Sequence, residues 1–304
     1  MKQGIEGVIP VWKPSGWTSH DVVAKARRIL RQKKIGHTGT LDPQATGVLP
    51  LCVGRATRFV EYLQELPKEY RAKLIIGYAT DTEDITGNVI EQAESVQLSA
   101  AQIEQALRSF HGTIRQVPPM YSALKINGKK LYELAREGKT VERKPRLVEI
   151  YRIDMVEMDL QRRYPEITFA VTCSKGTYIR TLCKDIGQAL GYPAVMADLV
   201  RTMTANFRSE QCVTLGRLAE LAEAGAAQTI TVPPDQAIGH MPAVMVRQTH
   251  AAKALSGQKI SFSACSKVPN GSVLVRLYDE ANTFLGVFQT SPGDSCMQPV
   301  KVFQ

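Results

Sequence analysis

The sequence predicts an α+β protein that has one large domain followed by a smaller β-rich module. Its 304 residues exceed the usual size of a single domain. Segments with the two-residue repeat of strands and segments with the spacing of amphipathic helices both occur along the chain. The stretch "ITVPPDQAIGHMP" is rich in proline and has neither repeat. We therefore place a boundary near His240, which gives domains of residues 1–240 and 241–304.

The composition indicates a folded, basic protein. Hydrophobic residues make up 44% of the chain and charged residues 22%, values typical of globular proteins. A net charge of +9 favours polyanions such as nucleic acid or an acidic membrane. The six cysteines form no CxxC pair and the five histidines lack ligand spacing, so we expect neither a metal site nor a disulfide framework. Without an apolar signal region or a membrane-length apolar stretch, the protein is expected to be cytoplasmic.

The first predicted helix covers "TSHDVVAKARRILRQKK". Thr18 or Ser19 would cap this helix, and apolar residues at helical spacing would form one face. The opposite face carries arginines and continues into Lys33 and Lys34. Such a face is either solvated or binds phosphate groups, and the sequence leaves both interpretations open.

The next segments predict mixed structure and a protruding arm. We interpret "EYRAKLIIGYATDTEDITGNVI" as a strand, an acidic turn and a return strand, and "SAAQIEQALRSFHG" as a helix capped by Ser99 and stopped by Gly112. Residues 122–146 combine a turn at Asn127 and Gly128, a short helix and many basic side chains. This pattern predicts a basic arm outside the core.

A strand, a turn and a helix are predicted in "EITFAVTCSKGTYIRTLCKDIGQALG". Arg180 falls in the first helical turn, off the apolar stripe, so it is expected to have no role in the core. The partial positive charge of a helix N-terminus disfavours a cation there by about 0.3–1 kcal/mol. Arg180 therefore either reaches into water or is offset by a carboxylate from elsewhere in the chain.

Three further elements complete the prediction. A capped helix is expected in "TLGRLAELAEAGA". After His240, "VRQTHAAKALSGQ" predicts another helix, and "SVLVRLYDEANTFLGVF" predicts a hairpin. A unit of this size is expected to lean on the larger domain.

One loop holds a single carboxylate in an unusual setting. The segment "GHTGTLDPQATGVLP", residues 36–50, has Asp42 as its only acidic side chain. Asp followed by Pro is an ordinary way to begin a turn, which is the simplest explanation of Asp42. The common nucleotide and hydrolase motifs are absent, because "GKT" at residues 138–140 lacks the earlier glycine of a P-loop and neither GxGxxG nor GxSxG occurs.

Six segments in this order resemble the TruB family of pseudouridine synthases, over about residues 8–201: "KPSGWTS", "GHTGTLDPQATGVLP", "KEYRA", "YATDTEDITG", "QVPPMYSALKINGKKLYELAREG" and "GTYIRTL". The resemblance implies a catalytic domain with a mixed, largely antiparallel central sheet flanked by helices, and a PUA-like RNA-binding module at residues 241–304. It also implies isomerisation of uridine to pseudouridine at position 55, in the T stem-loop of tRNA. No cofactor, metal, membrane or obligatory protein partner is expected, and the protein is expected to be a monomer.

The resemblance assigns catalytic roles to Asp42, Tyr70 and Arg180. Asp42 would act as a covalent nucleophile or a base, and Tyr70 would stack on the target uracil and could move a proton. Arg180 would pair with Asp42 and orient it, which answers the question raised by its position in the helix. Attack on C1′ of the ribose, addition at C6 of the ring, and removal of a C2′ proton all remain possible.

The resemblance also assigns substrate-binding residues. A base within a folded T loop must be flipped out, at a cost of a few kcal/mol. His37 would fill the gap that this base leaves, and Tyr178 and Leu199 would line the pocket. Lys13 would hold phosphate groups, together with the first helix and the arm around residues 125–130.

Three alternatives remain from the sequence. The chain could be a tRNA-folding protein whose binding matters more than its catalysis, or a family member that acts on another RNA. A glycosidase is the third, but glycosidases normally use two spaced carboxylates and the loop offers one.

Overall fold

The structure is a computed structural model that describes residues 4–126 and 128–303. Its strands are β1 Gly7–Lys13, β2 Ile35–His37, β3 Thr46–Val53, β4 Lys68–Ile76, β5 Tyr78–Thr80, β6 Val89–Gln92, β7 Gly112–Gln116, β8 Lys125–Ile126, β9 Lys129–Lys130, β10 Arg146–Asp159, β11 Glu166–Cys173, β12 Ala194–Thr204, β13 Phe207–Arg208, β14 Ala243–Val246, β15 Ile260–Ser261, β16 Leu274–Asp279, β17 Phe284–Gln289 and β18 Cys296–Val302. Its α-helices are α1 Ser19–Leu30, α2 Val60–Glu65, α3 Ala100–Ser109, α4 Leu131–Arg136, α5 Ile179–Ala189, α6 Leu215–Glu223, α7 Pro234–Ala237 and α8 Gln248–Leu255.

A large mixed sheet forms the centre of the first domain. Within the described residues it has nine strands, in the order β1-β3-β12-β4-β11-β10-β7, with β2 beside β3 and β13 beside β12. Every pair along this order is antiparallel except β3 and β12. At that parallel contact Gly47 faces Arg201 with a φ of 116°, and a Cβ on Gly47 would overlap the Arg201 backbone. The α+β class and the largely antiparallel sheet are thus confirmed.

Helices cover both faces of this sheet. Helices α3 and α5 pack on one side, where Ile103, Leu182 and Ile186 share a core with β4 and β11. Helix α1 packs on the other side with Val22 and Ala26 against strands β1 and β3. Each predicted cap is present: Thr18 forms a capping box with Asp21 at α1, and Ser99 forms one with Gln102 at α3.

The acidic turn and the arm project from the sheet. Strand β4 ends at Ile76, and the predicted return strand β6 pairs only with the short β5. The arm contains the hairpin of β8 and β9 and the short helix α4. Of the turn predicted there, Gly128 is described with a φ of 82°, whereas Asn127 lies outside the described residues. The long strands β10 and β12 are elements that the sequence patterns did not reveal.

The C-terminal module is a five-stranded sheet, ordered β14-β16-β17-β18-β15, with helix α8 packed against it. The predicted hairpin is β16 and β17, and the predicted helix is α8. Phe59 of the first domain is fully buried, stacks on Phe303 of the module and packs at a tilt against Phe284. The two units therefore share one apolar core.

The contact between the two units also includes polar groups. Arg58 donates to the carbonyl of Val302 at 2.6 Å, and Lys301 pairs with Glu61 at 2.8 Å.

No helix within residues 4–126 and 128–303 has the length and apolar character needed to cross a bilayer.

Candidate active site

The Asp42 loop joins β2 to β3. Hydrogen bonds with residues just before and at the start of α1 hold this loop in place. The amide of Leu41 donates to Ser19 Oγ at 2.9 Å, and the carbonyl of Pro43 accepts from the amide of Gly16 at 2.9 Å. The backbone on both sides of Asp42 is therefore fixed, while its side chain remains 38% exposed. A turn alone would not need these long-range contacts, so the loop is built to present this carboxylate.

Lys13 supports this loop from inside the protein. Its side chain is fully buried, and Nζ donates to the carbonyls of Pro14 at 2.9 Å, Trp17 at 2.6 Å and Pro43 at 2.9 Å. Burial lowers the pKa of the Lys13 ammonium to about 8. The prediction that Lys13 holds phosphate is wrong, because all three N–H donors of the ammonium point at backbone carbonyls. Lys13 instead anchors the residue that follows Asp42.

Arg180 forms a two-point contact with Asp42. Its Nε lies 2.9 Å from Asp42 Oδ2, and its Nη2 lies 3.3 Å from Asp42 Oδ1. This fork fixes the plane of the carboxylate as well as its distance, which a lysine in the same place could not do. The carboxylate that offsets the cation at the start of α5 is therefore Asp42.

The guanidinium of Arg180 is buried, with only 6% of its side chain exposed. Its remaining donors reach the carbonyl of Thr82 at 3.0 Å and the carbonyl of Tyr121 at 2.8 Å. The expectation that Arg180 has no role in the core is wrong, because the side chain ties the acidic turn and the start of the arm to helix α5. Burial of the cation is compensated by these hydrogen bonds.

Tyr70 lies on the central strand β4, where only 9% of it is exposed. Burial raises the pKa of its phenol, so the hydroxyl stays protonated at neutral pH and can donate a hydrogen bond. Its cross-strand neighbours are Val171 and Arg201, and the Arg201 side chain interacts with its hydroxyl. Tyr70 shares a core cluster with Leu41, the residue before Asp42, so the loop packs beside this tyrosine.

Arg201 is a buried cation that the sequence patterns did not single out. It is 1% exposed, and it donates to the carbonyl of Val48 at 2.8 Å and to that of Gly39 at 3.1 Å. Gly39 belongs to the Asp42 loop, so Arg201 links this loop to strand β12 and to Tyr70. No spacing in the sequence distinguishes such an arginine from a surface residue.

Tyr178 and Leu199 line the same region. The backbone of Tyr178 is held by the Gln116 side chain, which accepts from its amide at 2.7 Å and donates to its carbonyl at 3.0 Å. Burial raises the pKa of the Tyr178 phenol, and the charges of Arg180 and Asp42 both act on it. Leu199 is 6% exposed and shares a core cluster with Tyr70 and the loop residue Leu41.

His37 ends strand β2 on the same loop, facing His20 edge-on with 5.5 Å between the ring centroids. Its Nδ1 accepts from the amide of Gly39 at 3.2 Å. Burial, with a smaller contribution from His20, lowers the pKa of His37 to about 4. The imidazole is therefore neutral near pH 7, and a flat neutral ring is suited to stacking.

Three family models match consecutive parts of the chain. One described as "TruB family pseudouridylate synthase (N terminal domain)" matches residues 27–179. One described as "tRNA pseudouridylate synthase B C-terminal domain" matches residues 180–238, and "Pseudouridine synthase II TruB, C-terminal" matches residues 242–293. The chain belongs to the TruB family. The first family model includes the site residues from His37 to Tyr178. Arg180 is the first residue matched by the second family model.

TruB relatives resemble this chain over nearly its whole length. The tRNA pseudouridine synthase B of Bacillus pumilus (strain SAFR-032) is 48% identical over 83% of this chain and 82% of the relative. That of Bacillus subtilis (strain 168) is 42% identical over 98% of this chain and 97% of the relative.

Two solved structures share the fold of this TruB chain. One, an H/ACA RNP bound to a substrate RNA containing 2'-deoxyuridine, has a TM-score of 0.76 at 26% identity, over 98% of this chain and 85% of the other. A second, a Cbf5-Nop10-Gar1 complex, has a TM-score of 0.76 at 28% identity, over 98% of this chain and 84% of the other. The predicted α+β class and the PUA-like character of the C-terminal module agree with these matches.

Within the described part of this TruB chain, no group of three His, Cys, Asp or Glu side chains could hold a metal ion. The structure brings Asp42, Arg180, Tyr70 and Tyr178 into one region, with Leu199 in the adjoining core. Lys13 lies beneath the loop and not on a binding surface.

Proposed function

We propose that this chain isomerises a uridine in the T stem-loop of tRNA to pseudouridine. The observation that carries the proposal is the partly exposed Asp42 carboxylate, which the buried Arg180 contacts at two points, on a loop that packs against the buried Tyr70. The names of the TruB relatives supply the substrate class.

The reaction breaks one bond to C1′ of the ribose and makes another. The bond between N1 of uracil and C1′ is cleaved, the base turns over, and C5 bonds to C1′. The C5 hydrogen leaves as a proton and N1 takes up a proton, so the composition is unchanged. Since nothing is oxidised and no group is added, a carboxylate in a shaped pocket suffices for this chemistry. Asp42 can attack, or remove a proton, because Arg180 occupies one side of its carboxylate and leaves the other side open.

Tyr70 and Tyr178 would bind the uracil ring on either side of the reacting carbon. Tyr70 has a protonated phenol and a rigid ring on the central strand, so it can stack on the base and donate a hydrogen bond to it. Leu199 would supply an apolar wall. His37, neutral near pH 7, would stack in the place that the flipped base vacates.

A label-release assay tests the proposal directly. With tritium at C5 of uridine in an unmodified tRNA transcript, the purified protein is expected to release one label per tRNA, since the C5–H bond must break when C5 joins C1′. A transcript with cytidine in place of the T-loop uridine is the matched control and should release nothing. Label release from a different uridine, or none from the first transcript, would contradict the proposed substrate.

We propose that residues 241–304 form an RNA-binding domain that begins after His240. We also propose that the protein acts in the cytoplasm, as a monomer without a protein partner. Six basic and three acidic residues occur in this segment, so it is positively charged. Two of the six, Arg276 and Lys301, are engaged by the first domain through the carbonyl of Asp235 and the carboxylate of Glu61. The other four are exposed: Arg247, Lys253, Lys259 and Lys267.

Neutralising these four side chains to glutamine in the full chain is expected to weaken tRNA binding more than it slows turnover. Each phosphate contact that is lost should lower the slope of log K against log salt concentration by about 0.7–0.9. Filter binding over a range of salt concentrations measures this slope. Arg108→Gln, on the exposed face of α3, is the control. An unchanged salt slope would remove the module from the RNA contact surface.

A further inference from the structure

Glu83 lies in the acidic turn between β5 and β6. It contacts neither Asp42 nor any of the residues proposed to bind the uridine. We propose that Glu83 is a positioning residue, which holds the Thr82 carbonyl and the first turn of α5 where Arg180 needs them in order to orient Asp42. This inference rests on the proposed function, because it assigns Glu83 a part in the same reaction.

The backbone of Glu83 adopts a conformation that is uncommon for its side chain. Its φ is 63°, in the left-handed region that residues other than glycine, Asn and Asp seldom occupy. The amide of Glu83 donates to the Thr80 carbonyl at 3.2 Å, and its carbonyl accepts from the amide of Met196 on β12 at 3.1 Å. The peptide bond between Thr82 and Glu83 contains the Thr82 carbonyl. This carbonyl accepts a hydrogen bond from Arg180 Nη1 at 3.0 Å. An unfavourable backbone conformation is thus retained where it directs a carbonyl at the catalytic arginine.

The side chain of Glu83 makes a second connection to the same helix. Its Oε2 accepts from Thr181 Oγ1 at 2.7 Å, and its Oε1 accepts from Lys184 Nζ at 3.0 Å. The carboxylate is 11% exposed and Thr181 is 2% exposed, so water cannot easily replace the hydroxyl contact. Thr181 follows Arg180 directly, and Lys184 lies one helical turn further.

Together these contacts fix both ends of the interaction between Thr82 and Arg180. One end is the carbonyl, set by the backbone of Glu83, and the other is the helix, set by the side chain of Glu83. Asp84, 4.0 Å from Arg180 Nη1, is a neighbouring group that the guanidinium could move toward if the turn were released. Such a shift would rotate the fork away from Asp42, and a displacement near 1 Å in a catalytic group can cost about a hundredfold in rate.

Glu83→Ala removes the side-chain connection and is expected to lower kcat on tRNA by about tenfold or more while KM stays within about twofold. Glu83→Gln keeps an oxygen acceptor for Thr181 and should recover most of that loss. Glu83→Gly, which suits the left-handed backbone, should be as slow as Glu83→Ala but melt at a higher temperature. Glu91→Ala, an exposed carboxylate on β6, is the matched control and should behave as the unaltered protein.

A second measurement does not depend on turnover. Solvent exchange of the Arg180 Nε–H, followed by NMR, should be faster in Glu83→Ala than in the unaltered protein and unchanged in Glu91→Ala. Unaltered exchange, or a kcat equal to that of the unaltered protein, overturns the positioning role. The positioning role is also overturned if the unfolded fraction of Glu83→Ala accounts for all of its lost activity, or if only KM changes and kcat does not. If the unaltered protein itself releases no label, the proposed function fails, and the exchange experiment still decides whether Glu83 holds Arg180.

Discussion

Replacing Asp42 with asparagine is expected to reduce pseudouridine formation by at least about a thousandfold, the range lost when a nucleophile or a general base is removed. The substitution keeps the size of the side chain and one carbonyl oxygen for Arg180, so the loop should keep its shape. Binding of tRNA should therefore change little. The measurement is tritium release from C5 under single-turnover conditions, with tRNA affinity measured in parallel.

Asp198→Asn is the control for Asp42→Asn, since Asp198 is an exposed aspartate beside Leu199 and takes the same change. Full activity in the Asp42 variant would remove the carboxylate from the reaction. Rescue of a deletion strain by that inactive variant would instead favour the tRNA-folding alternative, because only binding would then be needed.

Replacing Arg180 with alanine is expected to lower kcat by about a hundredfold or more and to destabilise the fold as well. The rate falls because Asp42 loses both hydrogen bonds that set its plane. Stability falls because the carbonyls of Thr82 and Tyr121 lose a buried donor, at about 1–3 kcal/mol. Single-turnover rates and urea unfolding measure the two effects separately.

Two further variants separate charge from geometry at this position. Arg180→Lys keeps the cation but cannot span Asp42 and both carbonyls, so it should recover stability better than rate. Arg108→Ala breaks an exposed pair on α3 and should change stability by less than about 0.5 kcal/mol. An active Arg180→Ala protein would show that the pairing with Asp42 is not needed for the reaction.

Local sequence patterns predicted the elements that obey simple rules. Helices α1 and α3 begin directly after their N-caps, Thr18 and Ser99, because each cap is followed three residues later by a side chain that completes a capping box. Strand β11 and helix α5 were predicted from clear two-residue and helical repeats. The long strands β10 and β12 were missed because bulges interrupt their pairing, so their apolar residues do not alternate regularly.

The site divides in the same way between what the sequence revealed and what it did not. Asp42 and Arg180 stood out from the resemblance, and Arg180 also from its unfavourable place at a helix start. Lys13 was misassigned because a lysine in a polar loop has the same sequence signal whether it points outward or, as here, into a cage of carbonyls. Arg201, Gln116 and Glu83 act through contacts between residues far apart in the chain, which no local pattern records.

The packing of Phe59 against Phe284 and Phe303 has a consequence for how an RNA would be selected. With no free linker between the two units, the separation from the module surface to Asp42 is set by side-chain packing. An RNA that engages both must offer its phosphates and its target nucleotide at that one spacing. The protein would then measure the folded shape of the RNA and reject an unfolded strand that carries the same bases.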